Sequence, residues 1–138
     1  MGWFTCRRKR MIKKITPDKS MIKSIIETAE IKFNDANSLG RNNYYGKISL
    51  LYDVLREFLE CLSLLKGYKI YYHECYIPFL KEILHESFLG DKFDKLRILW
   101  NGLNYYGKKI NLEEGESVIL GLKEIIEKIK EILANQSK

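Results

Sequence analysis

Arg97, Asn101, Asn104, Tyr105 and Lys108 recur at spacings of three and four residues. On a helix, such spacings gather side chains along one flank. Arg97 on that flank can reach a phosphate. Tyr105 can hydrogen-bond or stack on a base, but with a reference pKa of about 10 it is a negligible base at pH 7. Imidazole, the usual acid–base group near neutral pH, occurs only at His73 and His85. His73-Glu74 also reads as a plain helix start, with Glu74 favourable in the first turn. His85 has no second ligand at helical spacing and so suggests no metal. There is no Gly-rich phosphate loop and no Gly-x-Ser-x-Gly turn. Any nucleotide site must therefore be built from a helix face, with no metal and no cofactor.

The element that carries this flank is a helix from about Asp91 to Tyr106. Leu96, Leu99, Trp100 and Leu103 give it an apolar stripe beside the polar one. Trp100 reads as a core or dimer-contact side chain rather than a base-stacking one. Gly107 is a natural C-cap, and Lys108 and Lys109 suit the negative end of the helix dipole. Thr16-Pro17-Asp18 predicts an earlier helix start, with Thr16 as N-cap and a helix running to about Asn37. A second helix is expected from Tyr44 to Leu65, ended by Gly67. A third follows His73-Glu74, with Pro78 in its early turns and Gly90 as its break. A fifth starts after Asn111 and carries a stripe from Val118 to Leu133. Short connections make successive helices antiparallel. The fold class is thus all-α, an up-and-down antiparallel bundle of four to five helices. Counting passes puts the Tyr71–Glu74 turn at the pole reached by Asn104, Tyr105 and Tyr106. The echo of Asn43-Tyr44-Tyr45-Gly46-Lys47 in Asn104-Tyr105-Tyr106-Gly107-Lys108 is then a coincidence, with its two copies at opposite poles.

A chain of 138 residues with 46% hydrophobic side chains supports one domain with its own core. Arg7, Arg8, Lys9, Arg10, Lys13 and Lys14 lie in a stretch without a single acid, so the net charge of +6 resides in residues 1–14. The division expected is a basic N-terminal arm, 1–14, and a helical bundle, 15–138. Such an arm touches phosphate or is simply solvated. Cys6, Cys61 and Cys75 are odd in number and form no Cys-x-x-Cys, which argues against a disulfide framework and for a reducing, cytoplasmic setting. Cys61 falls at an apolar helix position and reads as a small core residue. No apolar run approaches the ~20 residues that cross a bilayer. The basic start has no apolar stretch after it to make a signal peptide, and Cys6 stands where a myristoylation site needs Ser or Thr.

The stretch Trp100-Asn101-Gly102-Leu103-Asn104-Tyr105-Tyr106-Gly107 resembles the signature helix of the HEPN family (higher eukaryotes and prokaryotes nucleotide-binding). That signature is Arg-Asn, three variable residues and His, often followed by Tyr-Gly. Asn101 and Tyr106-Gly107 fit it; Trp100 replaces the Arg and Tyr105 replaces the His. The run from Tyr52 to Leu62, Gly67-Tyr68-Lys69 and His73-Glu74 resembles the second-helix region of archaeal members, so the likeness spans about residues 16–134. It implies a HEPN-like bundle, paired as a homodimer, that binds RNA or nucleotide. It also implies a toxin–antitoxin or defence-like setting and, for many members, pairing with a nucleotidyltransferase. Active members cleave RNA without a metal, using the Arg and His that are replaced here. The expected function is therefore binding with little or no catalysis. Its contacts are Arg97, Asn101, Asn104 and Tyr105, with phosphate affinity from Arg7, Arg8, Lys9, Arg10, Lys13 and Lys14. The alternatives are a metal-independent endoribonuclease using Arg97 with His73 or Tyr105, and a protein-interaction module.

The aromatic-rich fourth helix and the long apolar fifth offer more apolar surface than one small bundle hides. Sedimentation at micromolar concentration is accordingly expected to show a dimer; monomer alone would count against that expectation.

Overall fold

The structure, a computed structural model, describes residues 1–105 and 107–136, with Tyr105 described in its backbone alone. Its frame is four long helices: α2 (Lys19–Ser38), α3 (Tyr44–Leu65), α5 (Ser87–Tyr105) and α6 (Leu112–Gln136). Short elements complete it: α1 (Trp3–Arg8), β1 (Ile12–Lys14), β2 (Tyr68–Ile70) and α4 (Tyr76–Pro78). A 3-10 turn, His73–Cys75, precedes α4, and a π-helical stretch, Phe79–Ile83, follows it. The all-α bundle expected from periodicity is what forms.

α3 is the hub. Its buried residues include Leu51, Val54, Leu55, Phe58, Leu59, Cys61 and Leu62, which make one broad face, while Asp53, Arg56 and Glu60 line the opposite side and stay partly exposed. So broad an apolar face needs more than one neighbour to cover it. α2 covers one flank antiparallel, with Cys61 Sγ 3.7 Å from the Ile22 carbonyl and Lys32 bonded to Glu57. α6 covers another and runs parallel. Gly115 sits against Tyr44 so tightly that a Cβ there would meet the ring 2.5 Å away, and Lys130 Nζ lies 5.9 Å from the Phe58 ring centroid. α5 covers the third and is antiparallel. Tyr52 stacks on Trp100 at 5.4 Å, while Tyr45 Oη accepts the Ile110 N–H at 2.8 Å.

The last pairing corrects the expected poles. The end of α5 lies beside the start of α3, not its end. Tyr44 and Tyr45 therefore line a surface depression together with Leu103, Gly107 and Lys108, so the two echoed segments meet at one pole. Tyr106 itself is outside the described residues. The cause lies between residues 66 and 84. The chain leaves α3 at Gly67, whose φ of +90° reverses it, and retraces α3 in extended form. Lys69 reaches Glu60 at 3.3 Å, and His73 comes back to Tyr52, ring centroids 6.4 Å apart. The stretch expected as one full helix is thus a return strand plus a short forward pass. The up-and-down rule holds for α2, α3, α5 and α6, but this segment makes two passes where one was counted.

Several boundaries shift for local reasons. Asp18, not Thr16, caps α2, its carboxylate accepting the Met21 N–H at 3.1 Å. Asn111 and Glu114 cap α6 reciprocally, at 2.8 and 3.1 Å. Gly90 does not break a helix: it lies inside α5, where a Cβ would meet Lys81 Cγ at 2.7 Å. The preceding break is at His85, with φ 57°. Gly107, at φ 67°, does follow the end of α5, and the Lys108 N–H bonds back to the Gly102 carbonyl at 3.0 Å.

Residues 1–14 do not stand off as an arm. Trp3, Cys6 and Ile12 are buried in the core. Trp3 packs edge-on against Tyr68 at 5.0 Å, and its backbone N–H donates to Glu82 Oε2 at 2.9 Å. β1 pairs antiparallel with β2, Ile12 opposite Ile70, Lys13 opposite Lys69 and Lys14 opposite Tyr68. Cys6 and Cys75 form a disulfide, with Cα atoms 6.2 Å apart. That corrects the reading of three unpaired cysteines and removes the argument for a reducing setting that rests on it. The pair is 69 residues apart in sequence and becomes visible only when β1 lies on β2. Cys61 is free and buried, as its position in the stripe implies. Among the described residues, no helix is long and apolar enough to cross a membrane.

A bond closing so long a loop restricts the unfolded chain strongly. Cys6→Ser, or a dithiol reductant, is expected to lower the unfolding free energy by about 4 kcal/mol while leaving helicity intact. Denaturant titration followed by circular dichroism checks this.

Candidate functional site

The residues that could do chemistry divide between two sides of α5. On one side, α3 supplies Asp53 and Arg56, the 3-10 turn supplies His73 and Glu74, and α5 supplies Asp94 and Arg97. Arg97 Nη2 donates to Asp94 Oδ1 at 3.0 Å, one turn earlier on the same helix. Its Nε is enclosed and has no hydrogen-bond partner among the described residues. Arg97 opens onto a cleft of about 350 Å³, shared with Glu74, Ile77, Lys81 and Asp94. The floor nearby is aromatic. Tyr52 stacks on Trp100 and, at 6.4 Å, on Phe93, while Tyr76 meets Phe93 edge-on at 6.2 Å. Trp100 is therefore a packing residue, as its place in the apolar stripe implies.

His73 lies above this floor, 6.4 Å from the Tyr52 ring and 6.3 Å from Tyr76, with its outer edge exposed. Burial of the inner part of the ring depresses its pKa, and the positive charges of Arg56 and Arg97 depress it further. Asp53 and Glu60 oppose the shift without cancelling it. The imidazole is thus held neutral at pH 7 and able to accept a proton or a hydrogen bond. Arg56 is tethered loosely, its Nη2 3.8 Å from Asp53 Oδ1.

The other side of α5 holds Asn101. It lines a shallow groove of about 440 Å³ with Lys95, Ile98, Gly102 and Lys108. Asn104 is exposed one turn later. The polar stripe is thus split: Arg97 lies near enough to His73 for its charge to be felt there, whereas Asn101 lines a different groove. The side chain of Tyr105 lies outside the described residues. Of the basic segment, Arg7 sits over the Tyr68 ring at 6.0 Å, and Arg8, Lys9, Arg10, Lys13 and Lys14 are exposed around α1 and β1.

Other candidates recede on physical grounds. Burial pushes the Cys61 thiol up to about 12, with Glu60 and Glu57 adding to it, so it is no nucleophile. Burial likewise raises the Tyr76 phenol. A groove of about 700 Å³ between the start of α5 and α6 is lined by Phe88, Leu89, Lys92, Ile125 and Lys128. It contains none of the groups above. Among the described residues, no cluster of His, Cys, Asp or Glu is placed to hold a metal ion.

Arg56 escaped the sequence reading because it sits in a helix that looks wholly structural. Its spacing of three from Asp53 signalled only a surface ion pair. Compared with known proteins, the chain matches no family model, no curated protein and no solved structure.

The charge arrangement sets a pH dependence. With a folded pKa below the unfolded value of about 6.5, the unfolded chain takes up the proton first. Stability is therefore expected to fall as pH drops below about 6.5 towards the folded pKa of His73, and to be flat above. Arg56→Gln should raise the His73 pKa, read from its imidazole proton shifts by NMR; no change would place Arg56 too far away to matter.

Proposed function

We propose that this chain is a HEPN-like protein that binds RNA or a nucleotide at the Arg97 cleft and the neighbouring Arg56 and His73. The observation that carries the reading is the enclosed Arg97 Nε without a partner, beside a second guanidinium and a neutral imidazole. An arginine fixed along one edge by Asp94 keeps donors free for an anionic oxygen. The carboxylates on that side are mostly engaged: Asp53 with Arg56, Asp94 with Arg97, Glu60 with Lys69 and Glu82 with the Trp3 backbone N–H. In this proposal the protein acts as a homodimer in the cytoplasm, in a toxin–antitoxin or defence-like setting. Exposed Ile98 on α5 and Leu120 on α6 offer apolar surface for a second copy or for a nucleotidyltransferase. Asn101, Asn104 and Tyr105 then serve a neighbouring part of the RNA rather than the phosphate at Arg97.

A second reading, metal-independent cleavage of RNA, is favoured by one feature: the His73 imidazole lies within the electrostatic reach of two guanidinium groups that help to keep it neutral. That is the pairing a 2′-hydroxyl attack needs, a base for the proton and positive charge for the phosphate.

Fluorescence anisotropy with labelled RNA tests binding. Arg97→Met is expected to weaken affinity about tenfold or more, the scale of a lost charge-assisted hydrogen bond. Unaltered affinity would remove the cleft from the proposal. Incubation with RNA and a chelator separates the readings: cleavage that disappears in His73→Ala would establish the enzyme. Trp100→Arg with Tyr105→His restores the family motif. It should be less stable by about 3 kcal/mol, since Trp100 leaves its stack on Tyr52, but should cleave RNA above the parent level.

A further inference from the structure

The basic segment and the approach to His73 belong to one ribbon. β1 lies against β2, and the pairing continues past both ends. Ile15 N–H donates to the Gly67 carbonyl at 2.8 Å, and Tyr71 N–H to the Met11 carbonyl at 2.9 Å. Arg10, at φ 58°, turns the chain from α1 into this pairing. Ile12 and Ile70 are turned into the core, 8% and 5% exposed. Lys13 and Lys14 remain exposed beside them.

Two features of the ribbon do nothing for the fold. Lys13 faces Lys69, a like-charge pair that disfavours a sheet. Glu60 answers Lys69, but among the described residues no carboxylate pairs with Lys13, Lys14, Arg10, Lys9 or Arg8. Beyond them stand Tyr71 and Tyr72, each 54% exposed. Consecutive exposed aromatics beside unpaired cations are the groups that hold a strand of nucleic acid, cations for phosphates and rings for base faces. The next residue is His73. The Cys6–Cys75 bond then ties the cationic half to the turn that bears it.

We propose that this ribbon is a track for single-stranded nucleic acid that leads the strand to His73. Arg10, Lys13 and Lys14 meet the phosphates, and Tyr71 and Tyr72 stack on two bases. Only the destination of the strand rests on the function proposed above; the track stands on its own residues. A duplex fits poorly, because its base faces are already stacked on one another. A membrane surface fits poorly too, because the apolar residues of the ribbon, Ile12 and Ile70, point inward.

The test uses the full, disulfide-bonded protein and a labelled RNA of about twelve nucleotides, within the usual range of single-strand sites. Its DNA counterpart, its duplex and anionic phosphatidylserine vesicles complete the set. Tyr71→Ala with Tyr72→Ala is expected to weaken single-strand binding about tenfold or more and to leave the salt slope unchanged. Lys13→Gln with Lys14→Gln should flatten that slope by about 1.4. These side chains are exposed, so circular dichroism should show an unaltered fold. Equal affinity for RNA and DNA supports the track, whose contacts are common to both. Full affinity in the tyrosine variant, duplex binding as tight as single-strand binding, or binding to vesicles but not to oligonucleotides overturns it. Arg97→Met, measured in parallel, separates the two proposals. Loss there alone leaves the cleft standing and removes the track. Loss in the ribbon variants alone leaves the track standing and removes the cleft.

Discussion

α3 carries an apolar face too broad for any one neighbour to hide. Ile48, Leu51, Val54, Leu55, Phe58, Leu59 and Leu62 make up that face, and each is withdrawn from solvent. Covering that surface is worth more than any other single term available to a chain of this size, at roughly 1.5–3 kcal/mol per large apolar side chain. The requirement dictates the architecture. α2, α5 and α6 each present one stripe to it, and where they leave a gap, β2 and α4 fill it. Even the polar residue Glu57 is drawn in, and Lys32 must follow to partner it.

Filling that gap determines where the chemistry sits. The strand after Gly67 runs back along α3 because Ile70 must be buried, and it carries His73 to the middle of the bundle. There Arg56 and Arg97 approach from two different helices. The three groups share no local sequence relationship. Their juxtaposition depresses the His73 pKa through burial and through the two guanidinium charges, and the Arg97 Nε is left buried without a hydrogen-bond partner among the described residues. The same strand gives β1 an edge to pair with. Residues that would otherwise be a solvated basic tail become a fixed surface, held by Trp3 in the core and by the bond from Cys6 to Cys75. Core and charged surface are thus coupled through one short strand pair.

A cost accompanies the arrangement. Short antiparallel ribbons are marginal by themselves, and this one places Lys13 opposite Lys69. It persists because its inner residues join the core and a covalent bond spans its end. Positive charge concentrated on a rigid ribbon attracts anions more strongly than the same charge spread along a mobile chain, since no ordering entropy is lost on binding.

Periodicity alone determined the long helices. α3 runs from Tyr44 to Leu65, as its stripe and Gly67 require, and α6 begins after Asn111, as its cap requires. These features are local: a 3.6-residue repeat and a capping side chain act within a few turns of chain. The burial of Cys61 and the packing role of Trp100 were legible for the same reason. What the sequence left open involves contacts between distant residues. The strand pair β1–β2 is three residues long on each side, too short for an alternating pattern to stand out. The Cys6–Cys75 bond depends on two Cα atoms meeting across 69 residues of chain. Arg56 joins His73 only because the return strand adds a pass that reverses every pole counted after it. Local propensity settles which residues are helical, but the direction in which a short segment runs is settled by what it must bury, and that is a property of the packed whole.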